Sequence, residues 1–375
     1  MVSIAIIGPA PTELINFRGD LIRTLVGEGH KVIAMTGNGS PAQLAAIQGM
    51  GVEFVPYRIR QRSQNPLNDL RTFAQLRKIL SQRQPDIVLS YTVKPIIWTG
   101  LALRFLPKTV FYGLVEGAGY AFQGLGWKRK LLTKLVTKLY RAGLKRSKAV
   151  FFLNRDNPAE FIQRGIIGPE KVHILDGIGV DLERYKKQDL PQNERPVFLL
   201  ISRLLGEKGI REYAKAARQV REQHPDAEFR LLGGIDESSD GVPLSEIQSW
   251  HDDGDIDYLG SAPDVRPHLK DCHIFVLPSY YGEGLPRTIM EAMSTGRPIL
   301  TTDNVGCRET VKPGENGFLV EKGNAEALAQ RMTWFIENQQ EWQCMGDASR
   351  KMAEEKFDVH EVNKVVLEKM GIAST

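Results

Sequence analysis

Short apolar runs alternate with longer stretches of helical periodicity along the whole chain. The first half carries such runs at 4–8, 31–36, 53–57, 86–91, 110–115, 149–154 and 172–176. The second carries them at 197–202, 228–232, 256–260, 273–278, 298–302 and 317–320. Brief runs rich in Val, Ile and Phe fit strands buried on both faces of a parallel sheet. The helical patterns between them complete βαβ units, so each half is expected to be α/β and doubly wound. The expected layout is a domain over 1–186, a polar linker over 187–196 and a second domain over 197–358. A last helical pattern over 359–375 is expected to pack back on the first domain.

Composition narrows the class. The 375 residues are 42% hydrophobic and 25% charged, with no repeat or low-complexity tract, which suits a globular protein of two cores. Three cysteines (Cys272, Cys307, Cys344) lack metal spacing and fit a reduced, cytoplasmic chain. The start, Met1 to Gly8, reads as a buried strand rather than a signal peptide. Lys94, Arg104 and Lys108 interrupt the best apolar stretch, so no membrane span is expected. The net charge of +4 conceals an asymmetry: 27 Lys and Arg against 13 Asp and Glu over 1–186, but 22 against 32 over 187–375. One half is therefore expected to face something anionic.

In open α/β sheets ligands bind beyond the carboxyl ends of the strands, and two segments there carry suitable chemistry. Ser202-Arg-Leu-Leu-Gly-Glu-Lys-Gly209 places two cations and two glycines at a strand-to-helix turn, which suits a diphosphate or a capped surface turn. Pro278-Ser-Tyr-Tyr-Gly-Glu-Gly-Leu-Pro-Arg-Thr-Ile-Met-Glu291 puts Glu283 in a glycine-rich loop and Glu291 on the following helix. A helix-borne carboxylate can bridge the vicinal hydroxyls of a ribose, and the amides around Gly284, Leu285 and Pro286 could face a sugar or phosphate. The Asp253-Gly-Asp255 and Asp255-Ile-Asp257 pairs precede a strand and read as a polar turn. Cys272-His273 has no partner pair of ligand spacing. No metal and no cofactor is expected.

These two segments, in this order and separation and with Gly177-Ile-Gly-Val-Asp181 before them, resemble the donor signature of family 4 retaining glycosyltransferases of the GT-B fold. The resemblance covers nearly the whole chain. It implies two Rossmann-like domains facing a cleft, Arg203 and Lys208 on the donor diphosphate, Glu291 on the ribose and Glu283 on the transferred sugar. It also implies catalysis without a metal. Asn16-Phe-Arg-Gly19, Ser90-Tyr-Thr-Val-Lys-Pro95, Glu116-Gly-Ala-Gly-Tyr-Ala-Phe122 and Phe151-Phe-Leu-Asn-Arg-Asp156 are similar to the branch acting on polyprenyl diphosphate saccharides. That branch includes bacterial bacillosaminyl-lipid N-acetylgalactosaminyltransferases. Its members imply a UDP-sugar donor, a lipid-linked acceptor and acceptor contacts near Arg18, Gly19 and Lys94. Many family 4 enzymes carry a histidine after the fifth strand; here Glu116 stands near that place, either as an acceptor or catalytic group or as a turn cap.

The segment 124–148 holds nine basic residues and no acidic one. On a helix, Lys130, Lys134, Lys138, Arg141 and Lys145 form one stripe about 22 Å long. Leu132, Leu135, Val136, Leu139 and Gly143 border it, with Trp127 and Tyr140 as expected interfacial anchors. This suits peripheral contact with an anionic membrane, on the inner face of the cell membrane, although solvated helix faces are also often basic. Two other functions share parts of the pattern: a UDP-N-acetylglucosamine 2-epimerase, and a basic nucleic-acid-binding protein. The latter would need aromatic stacking platforms that the sequence lacks, so nucleic acid is not expected as a partner.

Overall fold

A computed structural model of the protein describes all residues except 61–64, 118–121, 123–125, 193–194, 239, 283 and 373–375, and the side chains of 128 and 129. Two compact units divide the chain: Met1–Ile178 with His360–Thr375, and Gly179–Val359.

In the first unit the elements run β1 (Ser3–Ile7), α1 (Pro11–Gly27), β2 (Lys31–Thr36), α2 (Pro41–Gln48), β3 (Glu53–Pro56), α3 (Pro66–Arg83) and β4 (Ile87–Tyr91). They continue with α4 (Val93–Ala102), β5 (Val110–Val115), α5 (Trp127–Leu144), β6 (Ala149–Phe152), α6 (Asp156–Gln163) and β7 (Val172–Ile174). The strands form a parallel sheet in the order β3-β2-β1-β4-β5-β6-β7. Local chemistry starts its helices where the pattern placed them. Pro11, Pro41 and Pro66 open α1, α2 and α3, and Ser40 and Gln43 close a capping box on α2. α3, α4 and α5 lie side by side. The α4–α5 approach needs glycine on both sides, since a Cβ on Gly100 would lie 2.1 Å from the Gly143 carbonyl oxygen.

The second unit runs β8 (Val197–Ile201), α7 (Ile210–Arg221), β9 (Glu228–Leu232), α8 (Leu244–Asp252), β10 (Asp257–Tyr258), α9 (Arg266–Lys270) and β11 (Ile274–Leu277). Then come α10 (Arg287–Ser294), β12 (Ile299–Thr302), β13 (Gly317–Val320), α11 (Ala325–Glu337) and α12 (Trp342–Lys356), before α13 (Val359–Met370) returns to the first unit. Its parallel sheet has the order β10-β9-β8-β11-β12-β13.

The unit boundary corrects the expected one at 186: the chain changes unit after Ile178. Asp189 and Pro191, within the expected linker, are tethered to the second unit. Arg297, fully buried, donates to the Asp189 carbonyl oxygen at 3.0 Å, and His273 Nε2 meets that of Pro191 at 3.2 Å. The second crossing follows Val359, after which α13 joins the first unit; there the Tyr112 hydroxyl on β5 donates to the Met370 carbonyl oxygen at 3.0 Å. No helix among the described residues is long and apolar enough to cross a membrane.

Candidate donor and acceptor sites

The order of the second sheet reverses between β8 and β11, and ligands of open sheets bind at such a switch point. Both sequence segments meet there. The Glu207 carbonyl oxygen, in the turn after β8, accepts from Tyr280 N at 2.9 Å, Tyr281 N at 3.0 Å and Ser279 Oγ at 3.3 Å, all in the loop after β11. Gly209 allows this closeness. Its φ is +76°, and a Cβ there would lie 2.1 Å from the Pro278 carbonyl oxygen.

On this joined platform Arg203 is 55% exposed, with Nη1 3.2 Å from the buried Asp236 Oδ2. Lys208 Nζ lies 5.0 Å from the Tyr281 ring centroid. Each cation thus stands at the edge beside an orienting partner, Asp236 for Arg203 and Tyr281 for Lys208. Behind them the loop carrying Asp236 is locked to the same turn: Gly206 N donates to the Asp240 carbonyl oxygen at 2.8 Å, and Glu207 N to Asp240 Oδ2 at 3.2 Å.

Glu291 is buried on α10. Arg287 Nε donates to its Oε1 at 2.8 Å, and the Tyr185 hydroxyl faces the same carboxylate. Burial, reinforced by this carboxylate, pushes the Tyr185 phenol well up, so it stays a neutral donor. Pro286 is the residue before the first turn of α10, and both it and Leu285 are buried. Gly284 is half-buried in the same loop, while Glu283 lies outside the described residues. The discounted acidic cluster has another role: Asp255 accepts from Arg218 Nε with both oxygens at 3.0 Å.

In the first unit the strand order reverses between β1 and β4, but that crevice is filled. The Tyr91 ring, fully buried, lies where a Cβ on Gly8 would be 1.9 Å from its Cζ. Arg18 stacks on this ring with Cζ 4.8 Å from the centroid and pairs with Glu116, just beyond β5. Burial raises the Glu116 carboxyl above its ordinary value, and the Arg18 charge opposes that rise. A carboxylate with one fixed partner thus stands at the ligand edge of this sheet.

The other first-unit residues separate. Arg18 is 3% exposed, buried between the Tyr91 ring and Glu116. Gly19 is also buried, facing Arg23 and Met50. Lys94 Nζ is 2.8 Å from Asp69 Oδ1 and donates to the Arg60 carbonyl oxygen at 3.1 Å. On α5, Lys130, Lys134 and Lys138 are exposed beside Trp127, Leu131 and Leu135, the last three 73%, 63% and 54% exposed. Tyr140 is a correction: it is fully buried against Phe122 and Phe161, so it is no interfacial anchor.

The Glycosyltransferase Family 4 model matches residues 19–184, and the Glycosyl transferases group 1 model matches residues 181–352. The chain is a family 4 glycosyltransferase of the GT-B fold. Among curated relatives, it is 27% identical to a Campylobacter jejuni N,N'-diacetylbacillosaminyl-diphospho-undecaprenol alpha-1,3-N-acetylgalactosaminyltransferase, over 90% of each chain. It is 28% identical to an Escherichia coli UDP-Gal:alpha-D-GlcNAc-diphosphoundecaprenol alpha-1,3-galactosyltransferase, over 73% of this chain and 72% of the relative. Among solved structures, HepE from Anabaena in complex with UDP-glucose has a TM-score of 0.80 at 17% identity, covering all of both chains. A Thermosynechococcus elongatus sucrose-phosphate synthase has a TM-score of 0.81 at 16% identity, again over all of both chains.

Three residues beside the candidate sites received no role from the sequence: Asp236, Tyr185 and Tyr91. Asp236 left a signal, an acid just after the strand-ending Gly233-Gly234. Tyr91 stood within Ser90–Pro95 without a role and Tyr185 left no signal, because each acquires its place from a partner distant in sequence.

Proposed function

We propose that this glycosyltransferase moves a hexosyl or N-acetylhexosaminyl group from a UDP-sugar to a hydroxyl of a polyprenyl-diphosphate-linked saccharide, with retention as an α-linkage. The observation that carries the donor half is the platform on which Arg203 and Lys208 are fixed beside the loop leading to Glu291. The two lipid-linked-saccharide transferases named above support the acceptor half.

Arg203 and Lys208 would take the diphosphate, Glu291 the ribose, and Glu283 with the Gly284–Leu285–Pro286 backbone the transferred sugar. In the reaction the bond from the sugar's anomeric carbon to the diphosphate breaks and its electron pair leaves with UDP. The acceptor oxygen bonds the same carbon from the same face, and its proton passes to a diphosphate oxygen. Fixed cations stabilise the charge that develops on the leaving group, so the reaction needs no metal ion and no cofactor. Glu116, held by Arg18, would accept a hydrogen bond from the acceptor hydroxyl. Lys130, Lys134 and Lys138, with Trp127, would rest on the anionic cytoplasmic face of the membrane that holds the acceptor.

The test is a screen of UDP-hexoses and UDP-N-acetylhexosamines against bacillosaminyl-type and N-acetylglucosaminyl undecaprenyl diphosphates. UDP release that depends on acceptor, with a product heavier by one sugar and α-linked by NMR, is the expected result. Isomerisation of the UDP-sugar without acceptor would sink the proposal.

A further inference from the structure

We propose that Asn363, on the last helix, is a positioning residue for Glu116, acting through one buried water and Arg18. It rests on the reading of Glu116 as the acceptor-side carboxylate.

Arg18 and Asn363 line one cavity of about 10 Å³ inside the first unit, room for a single water. Both are more than nine-tenths buried, at 3% and 7% exposure. Arg18 Nε and Asn363 Nδ2 each lack a hydrogen-bond partner among the described residues. The rest of the lining is mostly apolar residues, Leu21, Leu114, Leu153 and Val366 among them, with Gly177 between them. A dry, unpaired buried N–H group carries the full desolvation penalty of its donor. A water oxygen has two lone pairs and can accept from both.

The remaining donors of Arg18 explain why this matters for the site. Nη1 donates to the Phe17 carbonyl oxygen at 2.8 Å and Nη2 pairs with Glu116. Nε is the third point of a rigid planar fork, so holding it fixes the direction in which Nη2 presents itself to Glu116. The water closes that third point, and Asn363 closes the water. In this way α13, joined to β5 by the bond from Tyr112 to Met370, contributes to a carboxylate far from it in sequence.

Asn363→Leu fills the space with an apolar group and leaves Nε unpaired, while Asn363→Ser keeps a polar group and admits a second water. With the lipid-linked saccharide that gives turnover in the screen above, Asn363→Leu is expected to lower kcat/KM for acceptor about fivefold. The KM for UDP-sugar should not move, and Asn363→Ser should recover most of the loss. In a Glu116→Gln background the Leu substitution should change nothing further. A crystal structure should show an ordered water between Nε and Nδ2.

Wild-type acceptor kinetics in Glu116→Gln would overturn the underlying reading of Glu116. An impaired Glu116→Gln beside a wild-type-like Asn363→Leu would overturn only the connection. So would a dry cavity, or an equal loss from Asn363→Leu in both backgrounds.

Discussion

Arg287 Nε donates to Glu291 Oε1 at 2.8 Å while the Tyr185 hydroxyl faces the same carboxylate, so its orientation is set before any ligand arrives. A carboxylate offers about four lone-pair positions, which leaves acceptors for a diol. Tyr185→Phe removes the polar group facing this carboxylate and should weaken UDP binding three- to tenfold, about 1 kcal/mol. Glu291→Gln, which also removes the charge, should cost more, roughly 1.5–3 kcal/mol. Isothermal titration with UDP measures both, and unchanged affinity in Tyr185→Phe would remove Tyr185 from the site.

Asp236 holds Arg203 by one contact at a half-exposed position, so it steers the cation rather than neutralising it in a dry interior. Arg203→Ala should lower kcat by on the order of 2–4 kcal/mol of transition-state stabilisation. Asp236→Asn keeps the shape but loosens the cation, and should lower kcat severalfold with little change in the thermal midpoint. Steady-state kinetics at saturating donor distinguish them. If Arg203→Ala turned over at the wild-type rate, the diphosphate assignment would be wrong.

Gly209 is constrained twice, by φ and by the Pro278 carbonyl, whereas Gly254 shares the φ of +76° but has open space where a Cβ would stand. Gly254→Ala should therefore cost only the left-handed backbone term, about 1–2 kcal/mol. Gly209→Ala should cost more and also part the two loops that Glu207 joins, weakening UDP binding as well as stability. Urea unfolding and UDP titration of the two variants test this, and equal effects in both would deny that the loop contact matters.

The strands were legible because a parallel strand buried on both faces leaves an uninterrupted apolar run, as at Val197–Ile201. The donor motifs were legible because a short turn joins strand to helix and keeps Arg203 and Lys208 together. The unit boundary was not, because polarity says little about tethering. The polar stretch around Asp189 and Pro191 is pinned by Arg297 and His273, and the true crossing follows Ile178, an apolar residue. The burial of Arg18 was not legible for a related reason: its counter-charge, Glu116, lies 98 residues away. Helical periodicity placed Tyr140 beside the basic stripe, but only packing against Phe122 and Phe161 decides that it points inward.

The exposed lysines of α5 alternate with exposed Trp127, Leu131 and Leu135, so charge and apolar area would reach a bilayer together. Replacing Lys130, Lys134 and Lys138 by Gln should remove about 1 kcal/mol each and weaken partitioning into phosphatidylglycerol vesicles by on the order of 100-fold. The difference should shrink in high salt. Co-sedimentation at two ionic strengths measures it, and binding that ignores the substitutions would place the membrane face elsewhere.

His273 gives the second unit a predictable pH response. Its Nδ1 accepts from Val197 N at 3.1 Å while Nε2 faces the Pro191 carbonyl oxygen, so the folded ring must be neutral with its proton on Nε2. Burial is the main cause that lowers its pKa from 6.5 to about 4. The unfolded chain therefore binds this proton first as pH falls, and stability is lost on acidification between 6.5 and about 4. The slope is about 1.4 kcal/mol per pH unit, giving a loss of roughly 2 kcal/mol by pH 5. His273→Gln offers an acceptor and a donor but does not titrate, so its stability should fall less over this interval. Urea unfolding followed by tryptophan fluorescence suits the comparison, since Trp342 packs on the ring with centroids 4.7 Å apart. Parallel pH dependence in the two proteins would mean that another group carries the acid sensitivity.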